Sequence, residues 1–577
     1  MKLQRGILAN PQCLSVLRPA ICLANVAVSR AFSTSSQLAQ QSGSKPKKTE
    51  HRYNYNTSLA WEEEPDPNHV RYRRVTAKDL AHRREPPTKV KMLARDFIDD
   101  SLYNPHYGYF AKQATIFSSN PPEAANAASR SSSASSSGGV PDTPGFQIPS
   151  YPNLTAFQED VAEKYDQTYG ELVPEPSGSG EVRGGKGGLG RQVWHTPTEL
   201  FRPHYSRIIA KSLLTHYKLH HWPYNDLILY EIGAGNGSLM IDVMTYLREF
   251  HPDVYECTKY TIIEISEALA TRQRERIIEY GLEGKVTVEN KDFFDWQGGS
   301  KDPCYFVALE VFDNFAHDMI RYDMTTMTPL QAVVCIDGSG DFSLLYEQVT
   351  DPLIRRYLGY RRHVNYPYSP TSLTSLWKKS ANPLPLNPLL AASPLLRKIY
   401  NAMPFAPNLS PPEFLPTKQM VFLERLRDRL PGHRLLVSDF DTLPDAVEGK
   451  NGPVVQTRYG GDMVPCETFL VKQGYFDIFF PTDFEMLKEI YSVIMTTPAN
   501  RRLSPGYFSP HSAATGSSAH SQSDLMGTHG FKHRHVAVYS HAEFLQGFGD
   551  EASISGTTTK DKTNVMLSMY KNAKFMF

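Results

Sequence analysis

Glycines at 233, 235 and 237, with Glu231 two residues ahead of the first, are the part of this chain best suited to hold a small molecule. The apolar run Leu227-Ile228-Leu229 precedes them, and Leu239–Met244 follows with helical spacing, so a buried strand turns through the glycines into a helix. Such a turn directs backbone N–H groups at a ligand. A dinucleotide fingerprint, Gly-x-Gly-x-x-Gly/Ala, would put a small apolar residue at 238, where Ser238 stands. The alternating spacing has no pyrophosphate to hold, and Glu231 can meet the cationic amino group of a methionine moiety. These residues point to an S-adenosyl-L-methionine pocket. The alternative at this point is a glycine turn closing one βα unit of some other α/β protein.

Other acids fall where such a pocket needs them. Lys259–Glu264 is a second strand ending in a carboxylate, placed to accept two O–H bonds from a ribose diol. Ser266 is a helix cap for Glu267–Tyr280. After a third strand, Asp292 lies where an adenine amino group could donate to it, or where it is a turn acid. Methyl transfer from a sulfonium is an in-line displacement, so the protein has mainly to align nucleophile, methyl and sulfur. A guanidinium nucleophile is held best by carboxylates that accept paired N–H bonds. Glu310 and Asp313 follow the fourth strand at its carboxyl edge and are the candidate catalytic pair; in the alternative, Asp313 caps a helix and only Glu310 faces the pocket. Tyr107 and Tyr109 are candidates for an aromatic wall over the substrate, or for packing of a covering segment. Glu199, a candidate for binding substrate, could reach the cofactor from the N-terminus of its helix or be a first-turn acid there, and Asp439, at a strand end, leaves the same choice open.

The elements around these residues read as α/β: a Rossmann-like sheet with strands near 227, 259, 286, 305 and 434–439. Ala332–Ile336 is a further sheet strand or an insertion strand. Helices are expected from Val90 and over Glu199–Tyr217. The division expected is a transit peptide at 1–32, an extended segment at 33–89, a helical extension at 90–218 with a disordered insert at 119–145, a core at 219–344, an inserted lid or substrate subdomain at 345–430, and the C-terminal part of the core at 431–577 with a loop at 501–532. Prolines in 345–418 keep any helices there short.

The first 49 residues hold no Asp or Glu but seven Lys or Arg, the composition of a mitochondrial transit peptide, and Arg30–Ser33 resembles a matrix-protease site cut after Phe32. The 61 basic and 61 acidic residues balance, which argues against a nucleic-acid substrate. No apolar run approaches the roughly 18 residues that span a bilayer. The six cysteines form no Cys-x-x-Cys pair and the histidines lack ligand spacing, so no metal site is expected.

Together the motifs resemble the MidA family, whose mitochondrial members, of the complex I assembly factor 7 type, are described as protein arginine methyltransferases. The resemblance runs through Asp96–Phe110, Thr196–Leu200, Glu231–Met240, Ile263–Leu269, Asp477–Phe484, His541–Leu545 and Met569–Phe575. Leu309–Ala316 departs from the family pattern, keeping both acids but losing its Asn, Ala, Leu and Pro. The resemblance implies a class I S-adenosylmethionine-dependent methyltransferase of the matrix, acting on an arginine of a complex I core subunit during assembly. It leaves a homodimer open and gives Asp483 a role by likeness alone. Two alternatives stand beside it: a non-catalytic assembly chaperone that retains the cofactor-binding fold, and a methyltransferase for RNA or a small molecule.

Overall fold

The computed structural model describes residues 67–112, 114–116, 146–172, 192–194, 196–364, 384–459, 462–496 and 536–577. The expected transit peptide, the insert at 119–145 and the loop at 501–532 lie outside the described residues.

Seven strands form the central sheet: β1 (Leu227–Ile232), β2 (Thr258–Glu264), β3 (Val286–Asn290), β4 (Cys304–Leu309), β5 (His433–Phe440), β6 (Val538–Ser540) and β7 (Ala573–Met576). Their order is β6-β7-β5-β4-β1-β2-β3. Strands β1 to β5 pair in parallel, and β7 runs antiparallel to both its neighbours. The sheet is buried on both faces, which is why its strands read as unbroken apolar runs and not as alternation. Leu229, Tyr305, Val307 and Leu436 point into one core; Tyr230, Phe306, Ala308 and Val437 point into the other.

Helices α1 (Ala94–Tyr103), α2 (His204–His220), α3 (Ser238–Phe250), α4 (Glu267–Glu279), α5 (Pro352–His363), α6 (Thr417–Arg429), α7 (Phe484–Thr496) and α8 (His541–Phe548) surround the strands. Residues of α2, α3 and α8 fill the first core, and those of α5, α6 and α7 fill the second. Ser266 caps α4 as the sequence predicts, accepting from the Leu269 N–H. The helix expected over Glu199–Tyr217 is broken into Pro197–Leu200 and α2, because Pro203 has no N–H with which to continue the first piece.

A second, mixed sheet draws on Arg73–Arg74, Val90–Leu93, Asp318–Tyr322, Pro329–Ile336, Phe342–Gln348 and Glu413–Leu415. Its strands therefore come from the expected N-terminal, core and inserted segments alike. Pro329–Ile336 is an insertion strand, the second of the two readings. Val90–Leu93 is a strand where a helix was expected; it pairs with Val333–Ile336 before α1 begins. Part of the expected extended segment is also structured, since Thr76 closes a capping box over a short helix at Ala77–Leu80. Helix α5 is longer than the prolines suggested, because Pro352 stands in its first turn, where the missing N–H costs nothing. A third core joins α1 to this sheet through Phe97, Ile98, Met92, Val334 and Phe414.

The edge strand Glu413–Leu415 is held by a buried charge. Glu413 accepts from Arg361 on α5 at 2.7 Å, from Lys450 at 3.1 Å and from the Tyr322 hydroxyl at 3.1 Å. These partners hold its carboxyl below the usual range despite burial. Removing one member strands the other charge in the interior. Glu413→Ala should therefore lower the unfolding free energy by about 3–5 kcal/mol in urea titrations; an unchanged midpoint would show that the network is not needed to hold the strand.

Candidate active site

The chain leaves β1 through three glycines in left-handed conformations, with φ of 65° at Gly233, 55° at Gly235 and 77° at Gly237. Only glycine adopts this region without strain, so the alternating pattern is a backbone requirement. Gly237 is the N-cap of α3 and no side chain caps that helix end. The first N–H groups of α3 therefore face the turn without a side-chain partner. A Cβ added at Gly233 would lie 3.1 Å from Val311, so the turn also packs closely on the loop that follows β4.

Side chains from three elements fix the turn. Glu199 Oε1 accepts from Ser238 Oγ at 2.7 Å and from Asn236 Nδ2 at 3.1 Å. Its Oε2 is buried and has no hydrogen-bond partner. Arg276 on α4 donates to the Asn236 carbonyl at 2.7 Å. Gln273, one turn earlier, donates to the Gly235 carbonyl at 2.8 Å and to Glu264 Oε2 at 3.2 Å. Glu264 ends β2 as expected; its other oxygen accepts from the Ser266 N–H, and burial raises its pKa. Glu231 is buried on β1, where Oε2 accepts from the Tyr260 hydroxyl at 2.7 Å. Burial pushes its carboxyl up to about 7, despite that bond.

Strands β1 and β4 are neighbours where the strand order reverses, the place where open α/β sheets bind their ligands. Glu310 follows β4 with φ of 53°, a left-handed backbone that is strained for a residue with a Cβ. Its N–H donates to the Ser438 carbonyl of β5 at 2.8 Å. The next turn is organised by Asp439, whose Oδ2 accepts from the N–H groups of Phe312 at 2.8 Å and Asp313 at 3.1 Å. Asp439, Asp313 and Asp477 are buried and Glu310 is half-buried. No helix follows Asp313, so it caps nothing. Among the described residues none of the four has a cationic partner, and one oxygen each of Asp313 and Asp477 is buried without a hydrogen bond. The carboxyls respond as desolvated like charges must. Enclosure and the adjacent Asp439 push Glu310 up to about 8; burial pushes Asp439 up to about 7 against four backbone donors. Asp313 rises well above the usual range through burial, Asp439, Glu310 and Asp477, and burial does the same to Asp477.

The aromatic expectations need correcting. Tyr107 directs its hydroxyl to both oxygens of Asp100, at 2.8 and 2.7 Å, and Tyr109 is wholly buried in the third core. Both have the packing role left open by the sequence. The tyrosine of that motif nearest the acids is Tyr103, at the end of α1: it donates to the Asn314 carbonyl at 3.1 Å, and burial, then Asp99, Asp313, Asp292 and Asp477, push its hydroxyl pKa up. Asp292 is half-buried after β3, with Oδ1 accepting from the Phe294 N–H at 2.8 Å, which is the turn-acid geometry. Asp483 immediately precedes α7 and accepts from the Met486 N–H in its first turn. Sequence reasoning did not single out Gln273, Tyr103, Asp477 or Tyr570. Tyr570 has φ of 54° and a buried, unpartnered hydroxyl close enough to Glu310 to feel its charge. Tyr103 and Asp477 lie inside the motifs quoted above, which was the available signal.

Residues 208–499, half of the chain, match the sequence model of the Methyltransf_28 family of S-adenosyl-L-methionine-dependent methyltransferases, and the chain belongs to that family. Its cofactor is S-adenosyl-L-methionine. Over 254 residues it is 24% identical to the "Protein arginine methyltransferase NDUFAF7 homolog, mitochondrial" of Schizosaccharomyces pombe (strain 972 / ATCC 24843), a match that covers 44% of this chain. The chain spans about half the length of that curated relative, 51% of it. Among solved structures it is similar to a COG1565 superfamily member from Burkholderia thailandensis bound to S-adenosyl-homocysteine, at 12% identity and a TM-score of 0.44, over 89% of this chain and 94% of that one. A second COG1565 protein from the same organism has 15% identity and a TM-score of 0.34, over 59% and 75%.

The residues present fit the cofactor. The turn is a cradle that only glycine can form, and the free oxygen of Glu199 is an acceptor with nothing yet to accept from. Gly235→Val should abolish S-adenosylhomocysteine binding in calorimetry, since a β-branched residue at a φ of 55° both strains the turn and fills the ligand's space. Unchanged affinity in a folded variant would remove the turn from the pocket.

Proposed function

We propose that this chain methylates a protein arginine, and that the acids after β4 and β5 receive the guanidinium. The observation that carries this is four enclosed carboxyl groups, Glu310, Asp313, Asp439 and Asp477, with no cation among the described residues, set beside the glycine turn. Carboxylates gathered at such cost in desolvation suit a planar cation that offers paired N–H donors. The resemblance and the name of the curated relative support the finer reading: a mitochondrial matrix enzyme whose substrate is a core subunit of respiratory complex I during assembly.

On this reading Gly233, Gly235 and Gly237 line the cofactor, Glu199 and Glu231 face its methionine end, Glu264 holds its ribose and Asp292 its adenine edge. Gln273 and Arg276 are positioning residues that keep the turn in shape. When bound, S-adenosylmethionine supplies a methyl group on a sulfonium, open to in-line displacement. Glu310 and Asp313 accept N–H bonds from the guanidinium and draw its charge to one side, leaving the other nitrogen free as nucleophile. Glu310, left ionised once the guanidinium has displaced its proton, can then accept the proton that the attacking nitrogen gives up. Asp439 keeps its backbone bonds and holds the loop in place. Tyr103 and Tyr570 are half-buried beside the acids, whose charges act on their hydroxyls.

Glu310→Gln should keep cofactor affinity and lose methyl transfer to an arginine peptide by about a hundredfold or more. Full activity in that variant would end its role as base and clamp. The raised carboxyl pKa values also set a sign. A guanidinium favours the ionised acids, so its binding must expel protons where Glu310 (about 8) and Asp439 (about 7) still hold them. Affinity for an arginine peptide should therefore strengthen from pH 6 to pH 8, about tenfold for each proton expelled per pH unit. Calorimetry in buffers of different ionisation enthalpy should detect proton release at pH 7. Proton uptake, or affinity indifferent to pH, would contradict a cation seated on these acids.

A further inference from the structure

Between Asp351 and Glu413 the chain carries no acidic residue, yet it carries Arg355, Arg356, Arg361, Arg362, Lys378, Lys379, Arg397 and Lys398 within a protein of zero formal charge. Glu424 and Glu413 pair with Arg356 and Arg361, and the rest of the segment is left basic by composition. Within it, the helix Pro394–Asn401 buries none of its residues. Leu395, Leu396 and Ile399 fall within one ~100° arc of that helix and all are exposed. The opposite side carries Asn401, whose Nδ2 ties the helix to the protein through the Met324 carbonyl at 3.1 Å, and Arg397, which donates to the carbonyls of Leu390 and Ala391.

A surface helix normally turns its apolar stripe to the core; this one presents it outward. Leu389 before the helix and Met403 after it are exposed as well, and Phe405 stands fully exposed beyond it. An apolar patch of this extent marks a surface that another phase or molecule covers. Its make-up favours lipid over protein. The exposed apolar groups of the helix are aliphatic, and the most exposed apolar side chain after it is Phe405, at a turn with φ of 65°. Protein interfaces rely on Tyr, Trp and Arg anchors seated in pockets, whereas interfacial helices pair Leu and Phe with Lys or Arg at the rim, here the exposed Lys398. No helix among the described residues is long and apolar enough to cross a membrane, so such contact would be peripheral.

We propose that this face docks on an anionic lipid bilayer, with Leu395, Leu396, Ile399, Met403 and Phe405 entering the acyl boundary and Lys398 at the headgroups. The test is co-sedimentation of the full chain with vesicles of phosphatidylcholine alone and of equimolar phosphatidylcholine and phosphatidylglycerol. The chain should sediment with the mixed vesicles, much less with the neutral ones, and less as salt is added. The triple substitution Leu395→Ser, Ile399→Ser and Phe405→Ser should weaken vesicle binding about tenfold or more, with S-adenosylhomocysteine affinity unchanged. Lys398→Glu should weaken it about fivefold. The lipid and salt dependence of the native chain keeps the test independent of variant folding. Absence of sedimentation with the mixed vesicles overturns the proposal, as does equal binding by the triple variant. Self-association or binding of an acidic protein that the triple variant loses, without vesicle binding, would assign the face to a protein partner and likewise overturn it.

Discussion

Negative charge enclosed without a counterion is the condition that the rest of this site must satisfy. Carboxyl groups drawn away from water either find cations or are pushed toward the protonated form, and Glu310, Asp313, Asp439 and Asp477 show the second, with pKa values driven upward by burial and by neighbouring acids. A fold keeps such groups at some expense in stability, which is expected where they await a ligand. The contrast within the molecule is instructive. Glu413 is as buried, yet Arg361 and Lys450 hold it ionised, and it serves as a structural tie.

The scaffold brings the glycine turn and the acid-bearing loop together by close backbone contact. The left-handed turn at Gly233 lies against Val311, so the loop carrying Glu310 and Asp313 and the glycine turn, the proposed cofactor cradle, are one packed unit. Asp439 reaches across from β5 to bind the amides of Phe312 and Asp313, and Ser438 receives the Glu310 N–H. Two elements distant in sequence, the glycine turn and β5, thus fix one short segment. The strained backbone of Glu310 fits that over-determination, since an isolated loop would relax it.

What could be read from the sequence follows the range of the interactions. The glycine turn was legible because φ alone demands the residue type, and the strands of the central sheet because two-sided burial demands continuous apolar runs. The ends of β2 and β4, with Glu264 and Glu310, follow from the same runs. The second sheet was not legible, since Val90–Leu93 pairs with Val333–Ile336 some 240 residues away and its local pattern suits a helix as well. Tyr103 was passed over for Tyr107 and Tyr109 because the choice depends on where α1 ends and how it lies on the second sheet. Asp477 sits on a separate three-stranded sheet, so only the assembled fold brings it near Asp313.

The most direct measurement is the chemical form of the transferred methyl group. Purified chain, S-adenosylmethionine labelled in the methyl group and a mitochondrial protein extract from cells lacking this protein should yield label in acid-stable protein, recovered after hydrolysis as methylarginine. Label recovered as methyl-lysine, in RNA or in a small molecule, or tight cofactor binding with no incorporation at all, would contradict the account of the acids as a guanidinium site.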